Sequence, residues 1–216
     1  MRSRWLGPVV VAAMLGFLAV AWPHLPARMA VHWNASFQVD RWGTRLGAAG
    51  PFPVMALFFW VLIPLLRRID PRRENYDRFD PTFWIVVNLL VLMLAVMEVA
   101  IVGFNLGWPI DMQRVVLSLV GLLFVALGNY MPRVRSNWWM GIRTPWTLSS
   151  EGVWRETHRL GGRTFVLGGL VTIAAAFLPR LLAPWVALAG LLVGGFVPVV
   201  YSYVLWRREA VERRSP

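Results

Sequence analysis

Apolar residues in this chain come in long blocks separated by short polar connections. A helix needs roughly 20 mostly apolar residues to cross about 30 Å of hydrocarbon. The blocks predict six such helices, and hence an all-α integral membrane protein. The first spans Trp5–Trp22 and is ended by Pro23; the second spans Pro51–Leu66, with Pro64 near its end. Phe83–Phe104 is the third, and Val115–Tyr130, which can begin as early as Met112, is the fourth. Thr164–Leu178 and Pro184–Trp206 complete the set. The opening "MRSR", followed by an apolar run ending in Ala19-Val20-Ala21, also fits a cleavable signal peptide. The further spans behind it favour a retained helix.

The connections carry the second pattern. Every basic residue is Arg, and the Arg collect at alternate ends of the blocks. With the N terminus inside, outer segments hold only Arg28, Arg41, Arg45, Arg114 and Arg180. The inner segments hold all the others, Arg2, Arg213 and Arg214 included. Positive charge favours the cytoplasmic side, so both termini are expected there. Composition agrees: 57% of the 216 residues are hydrophobic and 15% charged, where a soluble domain has about a quarter charged. A net charge of +11 can signal nucleic acid, but here the Arg flank apolar runs, so no direct nucleic-acid binding is expected. With no Cys, disulfides, thiolate catalysis and Cys-ligated zinc are excluded.

Small residues at Gly161-Gly162, Gly168-Gly169, Gly190 and Gly194-Gly195 predict close approach of the last two helices to their neighbours. The connection after the fourth span is the richest in candidate chemistry. Pro132 ends that span; Arg133, Arg135, Trp138, Trp139 and Trp146 suit the headgroup level. Residues 147–162 then read as a short amphipathic helix on the inner surface, capped by Ser149 or Ser150, supported by a Glu151–Arg155 pair and stopped at Gly161-Gly162.

The stretch "GNYMPRVRSNWWMGIRTPWTLSSEGVWRETHRLGG" resembles the signature of the SdpI-type immunity protein family. The matching positions are Gly128, Asn129, Pro132, Asn137, Gly141, Ile142, Arg143, Thr144, Pro145, Trp146, Thr147, Leu148, Trp154, Thr157, His158 and Arg159. Near the start, "LPARMAVHWNASFQVDRWG" is similar to a DUF1648-like module often fused to such proteins, through His32, Trp33, Asn34 and Asp40. Phe37 stands where that module has Gly, and a left-handed turn there would be costly for Phe. The resemblance implies a module at 1–70 and a second at 83–216, in a multi-pass protein of the bacterial inner membrane. It further implies protection against a secreted peptide toxin outside, with sequestration of a transcriptional repressor inside as an added signalling role.

Other polar residues are weighed on their own. Glu98 and Asn105 share a face of the third span, where a carboxylate is expensive and usually faces the bundle interior. Glu98 is expected to pair with an outer Arg such as Arg28 or Arg114, to sit as a protonated acid hydrogen-bonded to a neighbour, or to act as the coupling acid of a small transporter or channel. His24, His32 and Asp40 match no zinc spacing, so no metal or other cofactor is expected. The connection "RRIDPRRENYDRFDP" mixes signs densely and reads as a solvated, self-paired loop or as a contact for a cytoplasmic partner. No nucleophile motif, paired carboxylates or phosphate-cradling loop is present. No catalytic residue is assigned, and an enzyme is not expected.

Overall fold

The computed structural model describes residues 4–212, so Arg2, Arg213 and Arg214 lie outside the described residues. The long helices are α1 (Leu6–Ala21), α3 (Pro51–Ile69), α4 (Asp80–Asn105), α5 (Met112–Tyr130), α7 (Glu151–Ala175) and α8 (Ala183–Glu212). Two single-turn helices, α2 (Arg45–Ala49) and α6 (Pro145–Ser149), precede α3 and α7. Asp111 starts α5, its carboxylate accepting from the backbone N–H groups of Gln113 and Arg114. Pro64 and Pro198 lie inside α3 and α8, tolerated where neighbouring helices cover the freed carbonyls.

The protein is a helical membrane protein. Among the described residues, five stretches are long and apolar enough to cross a bilayer: α1, α2 with α3, α4, α5 and α8. The sequence reading expects a sixth, and the difference lies in α7. Residues 147–162 are not a separate surface helix. Gly161 and Gly162 do not stop the chain; both are buried inside α7, which runs unbroken into the apolar stretch from Thr164. The Arg-rich first half lowers the mean hydropathy of the whole helix. The reason for continuity is packing. A Cβ on Gly128 of α5 would lie 2.6 Å from the Gly162 carbonyl oxygen, and one on Gly121 would lie 2.6 Å from that of Gly169. Gly pairs repeat at seven-residue spacing on both helices, so the backbones meet along two full turns. On the other side of α7, the Thr164 hydroxyl donates to the Gly194 carbonyl of α8 at 2.8 Å. The glycines read as a stop are therefore an interface.

The other helices form a second group, with Val11 and Met14 of α1, Ala56 of α3, and Val91 and Leu94 of α4 buried together. Between α1 and α3, the expected outer loop is an antiparallel hairpin, β1 (Arg28–Trp33) and β2 (Val39–Thr44), with irregular register around His32. Met29 and Ala30 of β1 are fully buried. They sit at the C-terminal end of α4, with Ile101, Val102 and Ala49 in the same apolar cluster as Met29. At 1.5 Å per residue α4 is about 39 Å long, so the hairpin and the Asp80 end stand on opposite sides of a bilayer-sized gap.

Candidate functional site

The densest polar architecture surrounds Asn137. This residue follows the turn in which Pro132 ends α5, and it is fully buried. Its side-chain oxygen accepts from the N–H groups of Trp139 at 2.9 Å and Met140 at 2.6 Å. Its amide nitrogen donates to the carbonyls of Arg135 at 2.8 Å and Met140 at 2.9 Å. One side chain thereby fixes six residues of irregular backbone, replacing the hydrogen bonds that a helix would supply.

The backbone then turns at Gly141, where φ is +109°. A Cβ at that position would overlap His158 Nε2, so Gly is required on two counts. His158 lies in the first turns of α7, ahead of the apolar stretch that begins at Thr164. Its Nε2 accepts the Ile142 N–H at 3.0 Å, which places the proton on Nδ1, and Nδ1 donates to the Trp154 carbonyl at 2.8 Å. Burial lowers the His158 pKa from 6.5 to about 4, so the ring is a neutral strut at physiological pH. The Trp154 ring stacks on it at 4.1 Å, and Trp154 Nε1 donates to the Val134 carbonyl at 2.9 Å.

Thr144 caps α6, with Pro145 in the first turn. Thr144 Oγ1 accepts from the Thr147 N–H, while Thr147 Oγ1 accepts from the Thr144 N–H and donates to the Ile142 carbonyl. Thr144 also meets Ser202 of α8 at 3.1 Å. Trp146 packs on Tyr203 of α8, centroids 5.0 Å apart. Ser150 caps α7 through the Val153 N–H and donates to Glu209 at 2.8 Å. Arg155 and Arg159 meet Glu156 at 3.9 and 3.3 Å.

The connection between α3 and α4 is not the solvated loop its charges suggest. Asp70 and Tyr76 are buried at its centre. Asp70 Oδ2 accepts from the Tyr76 hydroxyl at 2.8 Å and from the Trp138 N–H at 2.9 Å. The Tyr76 hydroxyl also meets Asn137 Oδ1 at 3.1 Å, and burial together with Asp70 raises its pKa above the usual phenol range. Arg72 donates to the Ser136 hydroxyl and to the Leu148 carbonyl, the latter at 2.6 Å. Asn75 donates to the Ser136 carbonyl at 2.8 Å. Arg67 pairs with Asp80 and with Asp77 while stacking over Tyr76 and Phe83. Sequence reasoning missed Asp70, Arg72, Asn75 and Tyr76 as parts of one site. The readable signal was Asp70-Pro71, since Asp before a turn accepts the N–H two residues on, as Asp70 does from Arg72 at 2.7 Å.

The remaining signature positions split away from this hub. Asn129, Pro132 and Arg159 line an exposed groove between α5 and α7 with Gly162 and Arg163. Arg143 is exposed and donates to the Trp138 carbonyl at 2.7 Å.

At the opposite end of α4, Asn105 acts on β1 as a strand would. It accepts from the Ala30 N–H at 2.7 Å and donates to the Ala30 carbonyl at 3.2 Å. Trp33 packs edge-on against Phe104 at 5.2 Å. Asn34 organises the turn, its Oδ1 accepting from the N–H groups of Ser36 and Gln38. Phe37 is the one non-glycine with positive φ among the described residues, at +56°. His32 Nδ1 and Asp40 Oδ1 are 2.6 Å apart on the exposed face. No cluster of metal-ligating side chains occurs among the described residues.

Glu98 is buried, but its expected partners are elsewhere. Arg114 meets Asp111 and Arg28 lies over Trp42. Asn105 bonds to β1 and to the Ile101 carbonyl rather than to Glu98. Neither carboxyl oxygen of Glu98 has a hydrogen-bond partner among the described residues.

A multi-pass helical bundle with a strand hairpin at one end and a buried polar hub at the other is the class these features define. Residues 133–202, which include most of the hub, match the model of the SdpI/YfhL protein family. Residues 9–57, which include the hairpin, match a domain of unknown function, DUF1648. The chain is similar to the protein named Immunity protein SdpI of Bacillus subtilis (strain 168), 22% identical over 170 residues, covering 78% of this chain and 79% of that one. No solved structure matches it.

Proposed function

We propose that this protein confers immunity to a secreted antimicrobial peptide from within the bacterial cell membrane, with both termini and the hub in the cytoplasm and the hairpin outside. The observation that carries this reading is the similarity to an immunity protein along 78% of the chain. In this reading the exposed His32–Asp40 pair and the Asn34 turn meet the peptide before it inserts productively. The hub is the cytoplasmic face, where a transcriptional repressor docks when the protein also signals. α4 joins the two directly, with Asn105 on the hairpin and Asp80 on Arg67.

The test is protection of a sensitive host challenged with candidate killing peptide, at matched membrane levels of each variant. Wild type protects; replacing His32, Asn34 and Asp40 together removes protection. Protection that survives the triple replacement excludes the hairpin as the receiving surface. Arg143→Ala in the same assay asks whether the hub side takes part.

A second reading is favoured by one observation, the buried Glu98 with no hydrogen-bond partner among the described residues. As a transporter or channel with Glu98 as coupling acid, the protein gives a pH-dependent flux in proteoliposomes that Glu98→Gln abolishes. Immunity by binding gives no such flux.

A further inference from the structure

Beneath the hub lies a cavity of about 340 Å³. It opens between the two helix groups, and its walls come from α3, α4, α5, α7 and the signature segment. Ile63, Leu90, Leu127, Met131 and Phe165 represent those walls, which are apolar nearly throughout. The lining includes one charged side chain, Arg143, which is exposed and so stands at the rim. Among the described residues Arg143 forms no ion pair. Its hydrogen bond to the Trp138 carbonyl occupies Nη1, and the other guanidinium donors remain available. No carboxylate among the described residues lines the space.

We propose that this cavity holds an anionic phospholipid, its acyl chain between the helix groups and its phosphate on Arg143. Three features favour that occupant. An apolar cavity of this size takes up apolar groups readily and water poorly. The lining includes Tyr130 and Val134, which flank Arg133 in sequence at the Arg-rich end of the bundle, where anionic headgroups concentrate. A guanidinium free of carboxylate partners is matched in charge and geometry to a phosphate diester. The site does not depend on immunity: it is read on purified protein with no toxin present.

The experiment is native mass spectrometry of the full-length protein. It is titrated with phosphatidylglycerol or with phosphatidylcholine of the same acyl chains, and separately with glycerol phosphate. Phosphatidylglycerol is expected to be retained at least fivefold over phosphatidylcholine, with no retention of glycerol phosphate. Arg143→Gln removes the preference, Arg143→Lys keeps most of it, and Leu127→Trp, which fills the chamber, reduces retention of both lipids. Equal retention of the two lipids by wild type overturns the proposal, as does a preference that survives Arg143→Gln. Loss of the preference in Arg143→Lys makes Arg143 a support of the hub rather than a phosphate ligand, and also overturns it. A lipid-free dimer abolished by Leu127→Trp places a second copy in the groove instead.

Discussion

Acid should loosen the hub through His158. Its ring accepts one backbone N–H and donates to one carbonyl, both buried, an arrangement that only the neutral imidazole can make. Protonation would turn Nε2 from acceptor to donor, facing the Ile142 N–H. With the folded pKa lowered from 6.5 to about 4, the unfolded chain binds a proton between those values that the folded chain refuses. The stabilisation is therefore complete above pH 6.5 and is lost as pH falls towards 4. At about 1.4 kcal/mol per pH unit, the full loss is about 3 kcal/mol, little reduced by solvent because the ring is 1% exposed. Carboxylates titrate in the same window, so the informative quantity is a difference. Wild type and His158→Gln, whose amide oxygen can still accept from Ile142, are unfolded in detergent from pH 7.5 to 4.5. The variant should be the weaker at pH 7.5, having lost the Trp154 stack, and the gap should narrow by about 2 kcal/mol by pH 4.5. Parallel stability curves across that range would refute the neutral-strut reasoning.

Four other outcomes follow from the geometry. Gly141→Ala should cost about 2 kcal/mol or more, from strain at positive φ and displacement of His158, read as a lower thermal midpoint and raised protease sensitivity near residue 141. Tyr76→Phe removes one hydroxyl that serves both Asp70 and Asn137, and should cost about 1–3 kcal/mol in the same unfolding assay. Glu98→Leu should raise the thermal midpoint, since it removes a buried carboxyl with no hydrogen-bond partner among the described residues; a lower midpoint would reveal an interaction that Glu98 makes in the membrane. Asn105→Leu should free β1, seen as faster amide exchange at Ala30 with little change at Asn137.

The helices were legible because continuous apolar runs leave few alternatives. α1, α3, α4, α5 and α8 begin and end within a few residues of the blocks, apart from a polar extension of α8. The exceptions are instructive. Gly161-Gly162 carries a local preference for a helix stop, and only the partner glycines on α5, distant in sequence, reverse it. The hairpin was hidden because its short strands sit among Arg and Trp that also suit a headgroup loop. Phe37 was legible as a problem: the expected turn needs positive φ, and the structure adopts it. Among the signature residues, the sequence pattern marked Asn137, Gly141 and His158, but spacing alone does not say that a carbonyl, an amide and a ring will converge. Asp70 and Tyr76 were obscured by surrounding Arg, since the charge density of a segment says nothing about which two members point inwards.

The α3–α4 connection also bears on how such proteins recombine. The matched segments end at 57 and resume at 133, which invites a cut anywhere between them. Yet Asp70, Arg72 and Tyr76 are bolted to Ser136, Asn137, Trp138 and Leu148. A chimera joining the front of one relative to the back of another inherits a mismatched clasp if the junction falls after Tyr76. One joined before Asp70 carries its clasp whole. Crossovers that survive selection should therefore fall on the hairpin side of residue 70.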